Sequence, residues 1–553
     1  MVDQNAHLTP SRAGRWPDLW LLGAAGIAVV VIAPLASILW LALHPTENIW
    51  PHLISTVLPR YLGNTLVLMA VVAALTAAMG TGAAWLVTMY RFPGQPWLCH
   101  LLLFPLAVPA FVGAYALVDF LDYAGPLQTT LRAAFGWSSA RDYWFPEIRS
   151  IWAAALVLSA ALYPYVYLLA RAAFREQSGC TYEVARALGT GPWGLFWRVG
   201  LPMARPAIAA GVALALMETV ADYGTVYHFG VQTLTTGIFS TWLNGGNAGG
   251  AAQIAGVILA VIAILVALER SGRHNARFHR IGGVSRPITA QRLSRLQGGI
   301  ACVLCLIPFA AGFVLPVLVM LAQGLRKPEA WVAPGLGQAL VNTLVVAGLA
   351  SAATVGAALF LVYAVRMAGR GGVARLVLPV TLVGYAAPGA VLALGLLIPL
   401  AALDNRLADA VLALTGHDPG LMITGTAFAL GLAYLVRFFG IAQGALDAAF
   451  GRVSPSLPMA ARSLGRSAGG ALGTVYLPLM RGSVATALLV VFVDCVKELP
   501  ATLLLRPFNY NTLSTRVFEL ASLERLSEAA PAALIVMAVG LLAVGLLART
   551  SRG

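Results

Sequence analysis

Long apolar runs alternate along this chain with short polar stretches rich in arginine. About twelve runs reach or approach the roughly 20 residues that cross a hydrocarbon core of about 30 Å as a helix. They lie near 17–43, 61–90, 98–121, 150–174, 206–226, 251–270, 297–323, 339–366, 373–402, 421–446, 483–505 and 529–548. The pattern predicts an all-α polytopic membrane protein. Between the sixth and seventh runs lies a basic, Gly- and Pro-punctuated linker, 271–296 (SGRHNARFHRIGGVSRPITAQRLSRL). Six helices, a linker and six more give two parallel repeats, because an even number of spans restores the side of the membrane.

The polar stretches repeat in register. Glu183-Val184-Ala185-Arg186-Ala187-Leu188-Gly189 is followed, eleven residues later, by Leu201-Pro202. Met459-Ala460-Ala461-Arg462-Ser463-Leu464-Gly465 is followed, again after eleven, by Leu477-Pro478, so each landmark lies 276 positions after its counterpart. Asn64-Thr65-Leu66 opens the second run and Asn342-Thr343-Leu344 the eighth, an offset of 278. These landmarks divide the chain into a tail and first span (1–60), a first repeat (61–270) with a polar loop at 175–205, and the linker. A first span of the second half with its outer loop (297–338) and a second repeat (339–553) with a loop at 447–482 complete it. Glu183–Leu188 is expected to form a short helix presenting Ala185, with Gly189 ending it. Leu201-Pro202 is expected to stop regular structure before the chain re-enters the membrane.

Composition agrees with the pattern. The 553 residues are 59 % hydrophobic and 10 % charged, with a mean hydropathy of +0.81, whereas soluble domains carry about 25 % charged residues. The net charge of +14 does not point to nucleic acid. With a cytoplasmic N-terminus, 25 of the 36 Lys and Arg fall on inside segments, Arg437 counted among them. That bias sets orientation and predicts that both termini are cytoplasmic. The first run is too long for a signal-peptide core and reads as a retained span. Cys302 and Cys305 have C-x-x-C spacing but no second ligand pair nearby, and read as packing.

Charges inside the spans are the candidate chemistry. The fifth run carries Glu218 and Asp222; the eleventh carries Asp494, Lys497 and Glu498, again with 276 positions between counterparts. Each costs roughly 2.5–3.5 kcal/mol at mid-helix and so faces a cavity or a partner. An i, i+4 spacing puts both acids of each half on one helical face. Counted from Pro206, they lie about 18 and 24 Å into the membrane. They either line a pathway favouring a cation, with Lys497 neutralising Asp494, or brace the two halves. Both readings place them at the interface of the halves. Tyr223, Tyr227 and His228 follow as hard-metal donors or as interfacial aromatics. Lys327 and Lys497 are the only lysines, and neither follows G-x-x-x-x-G. No phosphate-cradling loop is therefore present. Nothing in the sequence points to an enzyme active site.

The repeated loop resembles the EAA coupling loop of bacterial ABC-importer permeases. Glu183, Ala185 and Gly189 match in the first half, and Ala461 and Gly465 in the second. Arg186 and Arg462 sit at corresponding positions, and Met459 stands where the family usually has Glu. The stretches 218–242 and 494–520, above all Lys497-Glu498-Leu499-Pro500-Ala501-Thr502-Leu503-Leu504-Leu505-Arg506-Pro507, are similar to the ferric-iron importer permeases, which also have fused halves. The resemblance implies the type I permease fold and a bacterial inner-membrane location. It implies a periplasmic binding protein delivering ferric iron and a separate ATPase, expected as a homodimer, that binds ATP and Mg. This chain itself would hold no cofactor. The two docking loops would be unequal, because the second lacks the acid. Thiamine-importer permeases share the fused plan and supply the alternative substrate. Sulfate, phosphonate and polyamine permeases are more distant. An ion-coupled twelve-helix transporter typically has an acidic-basic motif after its second span; here that loop is MYRFPGQPW, and its counterpart VRMAGRGG has no acid.

Overall fold

Most of the apolar runs become single helices, and the interrupted ones break for identifiable reasons. The structure is a computed structural model describing residues 19–45, 47–274, 290–368, 374–382, 384, 387–454 and 456–550. The tail before Leu19 and most of the linker, with the arginines they hold, lie outside the described residues. Among the described residues eleven helices are long and apolar enough to cross a membrane. A twelfth is counted when Gln95–Ala107 and Ala110–Phe135, bent by 95°, are taken as one span. Proline makes that break: it has no N–H to donate and disfavours helix at the residue before it. Val108 is extended, and Pro109 caps the helix Ala110–Leu121. In the second half Pro388 caps Gly389–Thr415 in the same way. The runs at 98–121 and 373–402 are therefore broken, not continuous.

Two further runs are cut short at one end and extended at the other. The helix Leu201–Ala221 stops before Asp222 and the chain turns again over Gly224–His228; Leu477–Val496 stops before Lys497 and restarts as Pro500–Leu505. At their other ends both helices continue from a π-helical turn, Leu195–Gly200 and Leu472–Tyr476. Leu201-Pro202 consequently does not stop regular structure. Pro202 sits in the first turn of its helix, where a missing N–H is tolerated, and the π turn shifts the hydrogen-bond register just before it.

Each half is built around one central helix. Ile151–Glu176 packs between Leu58–Met89 and Leu201–Ala221, and Ala427–Arg452 packs between Leu336–Ala368 and Leu477–Val496. Small residues allow the approach. A Cβ on Gly80 would lie 2.7 Å from the Val166 side chain and 2.9 Å from the Tyr163 carbonyl, and one on Gly211 would lie 2.7 Å from the Val166 Cα. The Asn-Thr landmarks act alike in both halves. Thr65 Oγ1 accepts the Leu234 N–H at 3.0 Å, and Thr343 Oγ1 accepts the Leu513 N–H at 2.8 Å. Asn64 and Asn342 donate to the carbonyls of Gln232 and Asn511 at 2.8 and 3.0 Å.

The first span of each half crosses to the other half. Leu19–Leu43 packs on Leu336–Ala368 and Gly389–Thr415, with Trp20 stacked on Phe360 at 5.1 Å. Arg295–Arg326 lies on the first half: a Cβ on Gly312 would meet the Ala160 carbonyl at 2.2 Å, and Phe313 meets Phe104 edge-on at 5.4 Å. A two-residue parallel ladder, Tyr90–Arg91 with Gln291–Arg292, pins the end of the linker to the first half.

These packings place both repeated loops at one end of the bundle. Leu201 and Arg205, at the close of the first loop, share a groove with Leu268 and Glu269 near the end of Ala248–His274. That helix runs antiparallel to the first span, since its Gly249 abuts Pro45 and its Gly256 abuts Ala42. Trp20 therefore lies at the end of the first loop. Trp20 meets Tyr363 edge-on at 5.3 Å, and the Tyr363 hydroxyl donates to the Ala468 carbonyl of the second loop at 2.6 Å. Gly80→Leu should separate the central helices of the first half and cost about 1–3 kcal/mol, the usual cost of overpacking. A lowered thermal transition of the purified chain checks it; an unchanged transition would mean that the contact does not bear on stability.

Candidate functional site

The helix breaks deliver the candidate acids. Asp222 leaves the helical region with ψ 134°. Its Oδ1 accepts the N–H groups of Thr225 and Val226 at 3.0 and 3.1 Å, and Oδ2 accepts the Thr225 hydroxyl at 3.0 Å. It thus caps the short helix Gly224–His228, satisfying N–H groups that have no partner within that turn. Glu498 does the same for Pro500–Leu505, its Oε1 accepting the Ala501 N–H at 3.1 Å. Glu218 and Asp494 remain on the long helices. The paired acids therefore do not share one helical face: an i, i+4 rule fails where the helix ends between the two positions.

Arg437 completes the group. It was expected on an inside segment, but it lies within the helix Ala427–Arg452 and is buried. Its Nε is 3.0 Å from Glu498 Oε2, and its Nη2 is 4.0 Å from Glu218 Oε2, across the seam between the halves. Lys497 Nζ pairs with Asp494 Oδ1 at 2.8 Å. The glycine at 389 gives this cluster its space: a Cβ there would stand 2.3 Å from Glu498 Oε1 and 2.6 Å from Arg437 Nη1. A single charged residue within an apolar stretch, Ala-Tyr-Leu-Val-Arg-Phe-Phe, was the signal for Arg437. The positive-inside count absorbed it.

These side chains line a cavity of about 120 Å³ at the seam. A water molecule takes up about 30 Å³ in the liquid, so the space holds about four waters or a partly hydrated ion. Pro105, Val108, Pro109, Phe111, Leu158 and Leu162 form apolar wall, and Tyr165 adds a hydroxyl. The charged lining is Glu218, Asp222, Asp494 and Glu498 against Arg437 and Lys497, four carboxylates to two cations. Tyr223 also lines it, stacked on Phe239 at 3.8 Å and on Tyr227 at 5.3 Å, with Phe518 of the second half 5.7 Å away. His228 turns instead to Tyr115, ring to ring at 4.6 Å. Tyr223, Tyr227 and His228 thus belong to two different aromatic contacts. Among the described residues no three His, Cys, Asp or Glu side chains form a metal-holding group.

The repeated loops have the same local geometry. The helix Gly179–Ala187 carries Glu183, Ala185 and Arg186 and ends at Gly189 with φ +80°; Ser456–Ser463 carries Met459, Ala461 and Arg462 and ends at Gly465, also with φ +80°. In each, the N–H of the next residue returns to the helix, Thr190 to the Ala185 carbonyl at 3.0 Å and Arg466 to the Ala461 carbonyl at 3.1 Å. Open space surrounds both glycines, so the left-handed backbone alone demands them. Glu183, Val184, Leu188, Met459 and Leu464 are exposed, while Ala185 and Ala461 are half-buried. Beneath the first loop Tyr182 packs against Trp85 at 6.0 Å; beneath the second, Tyr476 packs against Tyr363 and Phe450 at 5.6 and 5.0 Å.

Known proteins resemble this chain in sequence. Residues 70–271 match the family of binding-protein-dependent transport system inner membrane components. The chain is 28 % identical over 485 residues to the Fe(3+)-transport system permease protein FbpB 2 of Haemophilus influenzae, covering 86 % of this chain and 87 % of that protein. It is 27 % identical over 204 residues to the molybdenum transport system permease protein ModB of Escherichia coli K12, covering 35 % of this chain and 85 % of that one. The sulfate transport system permease protein CysT of the same organism is 25 % identical over 203 residues, 36 % of this chain and 69 % of that one.

Gly389→Ala should push on the Arg437–Glu498 pair and lower the stability of the purified chain by about 1–3 kcal/mol. Glycine-to-alanine at Gly356, where nothing lies within 4 Å, should leave the thermal transition unchanged or raise it. Equal transitions in the two variants would remove Gly389 from the design of the site.

Proposed function

We propose that the chain, whose residues 70–271 match the binding-protein-dependent transport system inner membrane components, forms the membrane pathway of an ATP-driven importer of ferric iron. A periplasmic binding protein hands over the cargo, and a separate ATPase dimer, which binds ATP and Mg, supplies the work. The loops and both termini face the cytoplasm.

The observation that carries the substrate reading is the surplus of acid in the seam cavity, four carboxylates against two fixed cations. A surplus of negative charge repels oxyanions such as molybdate and sulfate, and repulsion is as much a source of specificity as attraction. Carboxylate oxygens are hard donors suited to hard cations. The small volume, about 120 Å³, favours a metal ion over an organic cation such as thiamine, since pockets for small molecules run from about 300 Å³ upward. The long match to an iron permease supports the same cargo.

Force reaches this cavity along two rigid rods. From Leu201 to Glu218 the helix is unbroken, about 26 Å at 1.5 Å per residue, and the equivalent rod runs from Leu477 to Asp494. The ATPase grips both loops, Glu183, Ala185, Arg186 and Gly189 in one and Met459, Ala461, Arg462 and Gly465 in the other. Its closure rocks the rods against each other and alternates access to the cavity. Met459 replaces an acidic contact with an apolar one, so the two grips differ in strength.

The chain reconstituted in vesicles with its ATPase and binding protein should accumulate radiolabelled ferric iron, and neither thiamine nor molybdate, when ATP is inside the compartment holding the ATPase. Glu218→Gln with Asp494→Asn should cut iron uptake about tenfold or more while the chain still captures the ATPase. Accumulation of molybdate or thiamine in place of iron would contradict the reading. Gly189→Glu or Gly465→Glu should leave a folded membrane protein that no longer couples hydrolysis to uptake; wild-type uptake in either variant would remove the loops from the mechanism.

A further inference from the structure

We propose that Arg437 is a tethered counter-ion: its guanidinium occupies the carboxylates of the cavity, holds the seam together, and yields Glu218 to an arriving multivalent cation. This rests on the cation reading of the cavity above.

The geometry of the guanidinium is uneven. On the Glu498 side the contact is 3.0 Å and both side chains are nearly inaccessible, 10 % and 4 % exposed. On the Glu218 side the distance is 4.0 Å and the carboxylate is 36 % exposed. Arg437 is therefore anchored within its own half and leans on the other. Glu498 is held a second time by the Ala501 N–H, so the anchor stays put while the looser contact to Glu218 can open. Lys497 does not share this role. Its ion pair is with Asp494, three positions away at the end of the same helix, and not with a residue of the other half.

Chemistry sets which cargo can compete. A guanidinium on a carboxylate in a site shielded from water is a strong contact, since low dielectric strengthens charge interactions. A monovalent ion brings no more charge than the group it must replace. A trivalent cation brings three times as much, and binds oxygen directly. Arg437 thereby acts as a specificity residue: it screens out weakly charged ions and keeps the acids covered when no cargo is present.

The test uses the full chain in detergent and terbium(III) chloride as the trivalent probe, read by luminescence excited through the cavity tyrosines Tyr165 and Tyr223. The Glu218→Gln variant defines which part of the signal belongs to the cavity. Arg437→Gln should lower the half-saturating terbium concentration of that part about tenfold, and Arg437→Lys should keep it near the wild-type value. Because Arg437→Gln leaves Glu498 buried without its partner, at a cost to the fold, the same comparison is made between Glu498→Gln and Arg437→Gln/Glu498→Gln, which removes both charges together. A tenfold gain that Glu218→Gln abolishes supports the counter-ion. Equal Glu218-dependent affinities with and without Arg437 overturn it and leave the cation reading standing. Absence of any Glu218-dependent signal, in wild type and variants alike, overturns both.

Discussion

The seam of this protein depends on an arginine placed where a membrane protein can least tolerate an unpaired charge. Removing one member of a buried pair typically costs about 3–5 kcal/mol, because the survivor keeps its desolvation penalty. Arg437 and Glu498 meet that constraint together, and the surrounding chain is arranged to let them. Pro388 starts a helix beside them, the glycine at 389 leaves room for both groups, and the helix Leu477–Val496 ends in time for Glu498 to turn inward. The same breaks occur in the first half around Pro109 and Asp222. Interrupted helices are thus the means by which two apolar bundles present charge to one another, with irregular backbone confined to the protein interior.

Around this polar centre the two halves are held by exchange. The first span of each packs on the other. The loops at one end are clamped to Leu58–Met89 by Tyr182 on Trp85 and to Leu336–Ala368 by Tyr476 on Tyr363. Each loop also leads directly into a helix that carries a cavity acid, Glu218 on Leu201–Ala221 and Asp494 on Leu477–Val496. No break interrupts the helix between Leu201 and Glu218.

Much of this was legible in the residues, and the exceptions have physical causes. Length and hydropathy identify the spans because a bilayer imposes a length on them. The paired Asn-Thr and Ala-x-x-x-Gly landmarks identify equivalent loops because both copies need the same cap. Helix interruption was harder to read. Pro109 and Pro388 sit inside apolar runs that hydropathy treats as continuous, and Asp222 and Glu498 look like members of a helical face until their side chains are seen to cap the next turn. Pro202 misled in the other direction, as a stop signal that a preceding π turn makes compatible with helix. Arg437 is hidden among the loop charges by its sign, although it lies inside the helix Ala427–Arg452. An arginine flanked by aromatic and aliphatic residues is better read as a search for a buried acid.

The seam itself is tested most directly by a double-mutant cycle between Glu218 and Arg437 in the purified chain, read by thermal unfolding of Glu218→Gln, Arg437→Gln and the combined variant. Residues in contact within one charged network couple by about 0.5–3 kcal/mol. A coupling of about 1 kcal/mol or more between these two is expected if the pair ties the halves together. Additive losses would contradict a seam held by this contact.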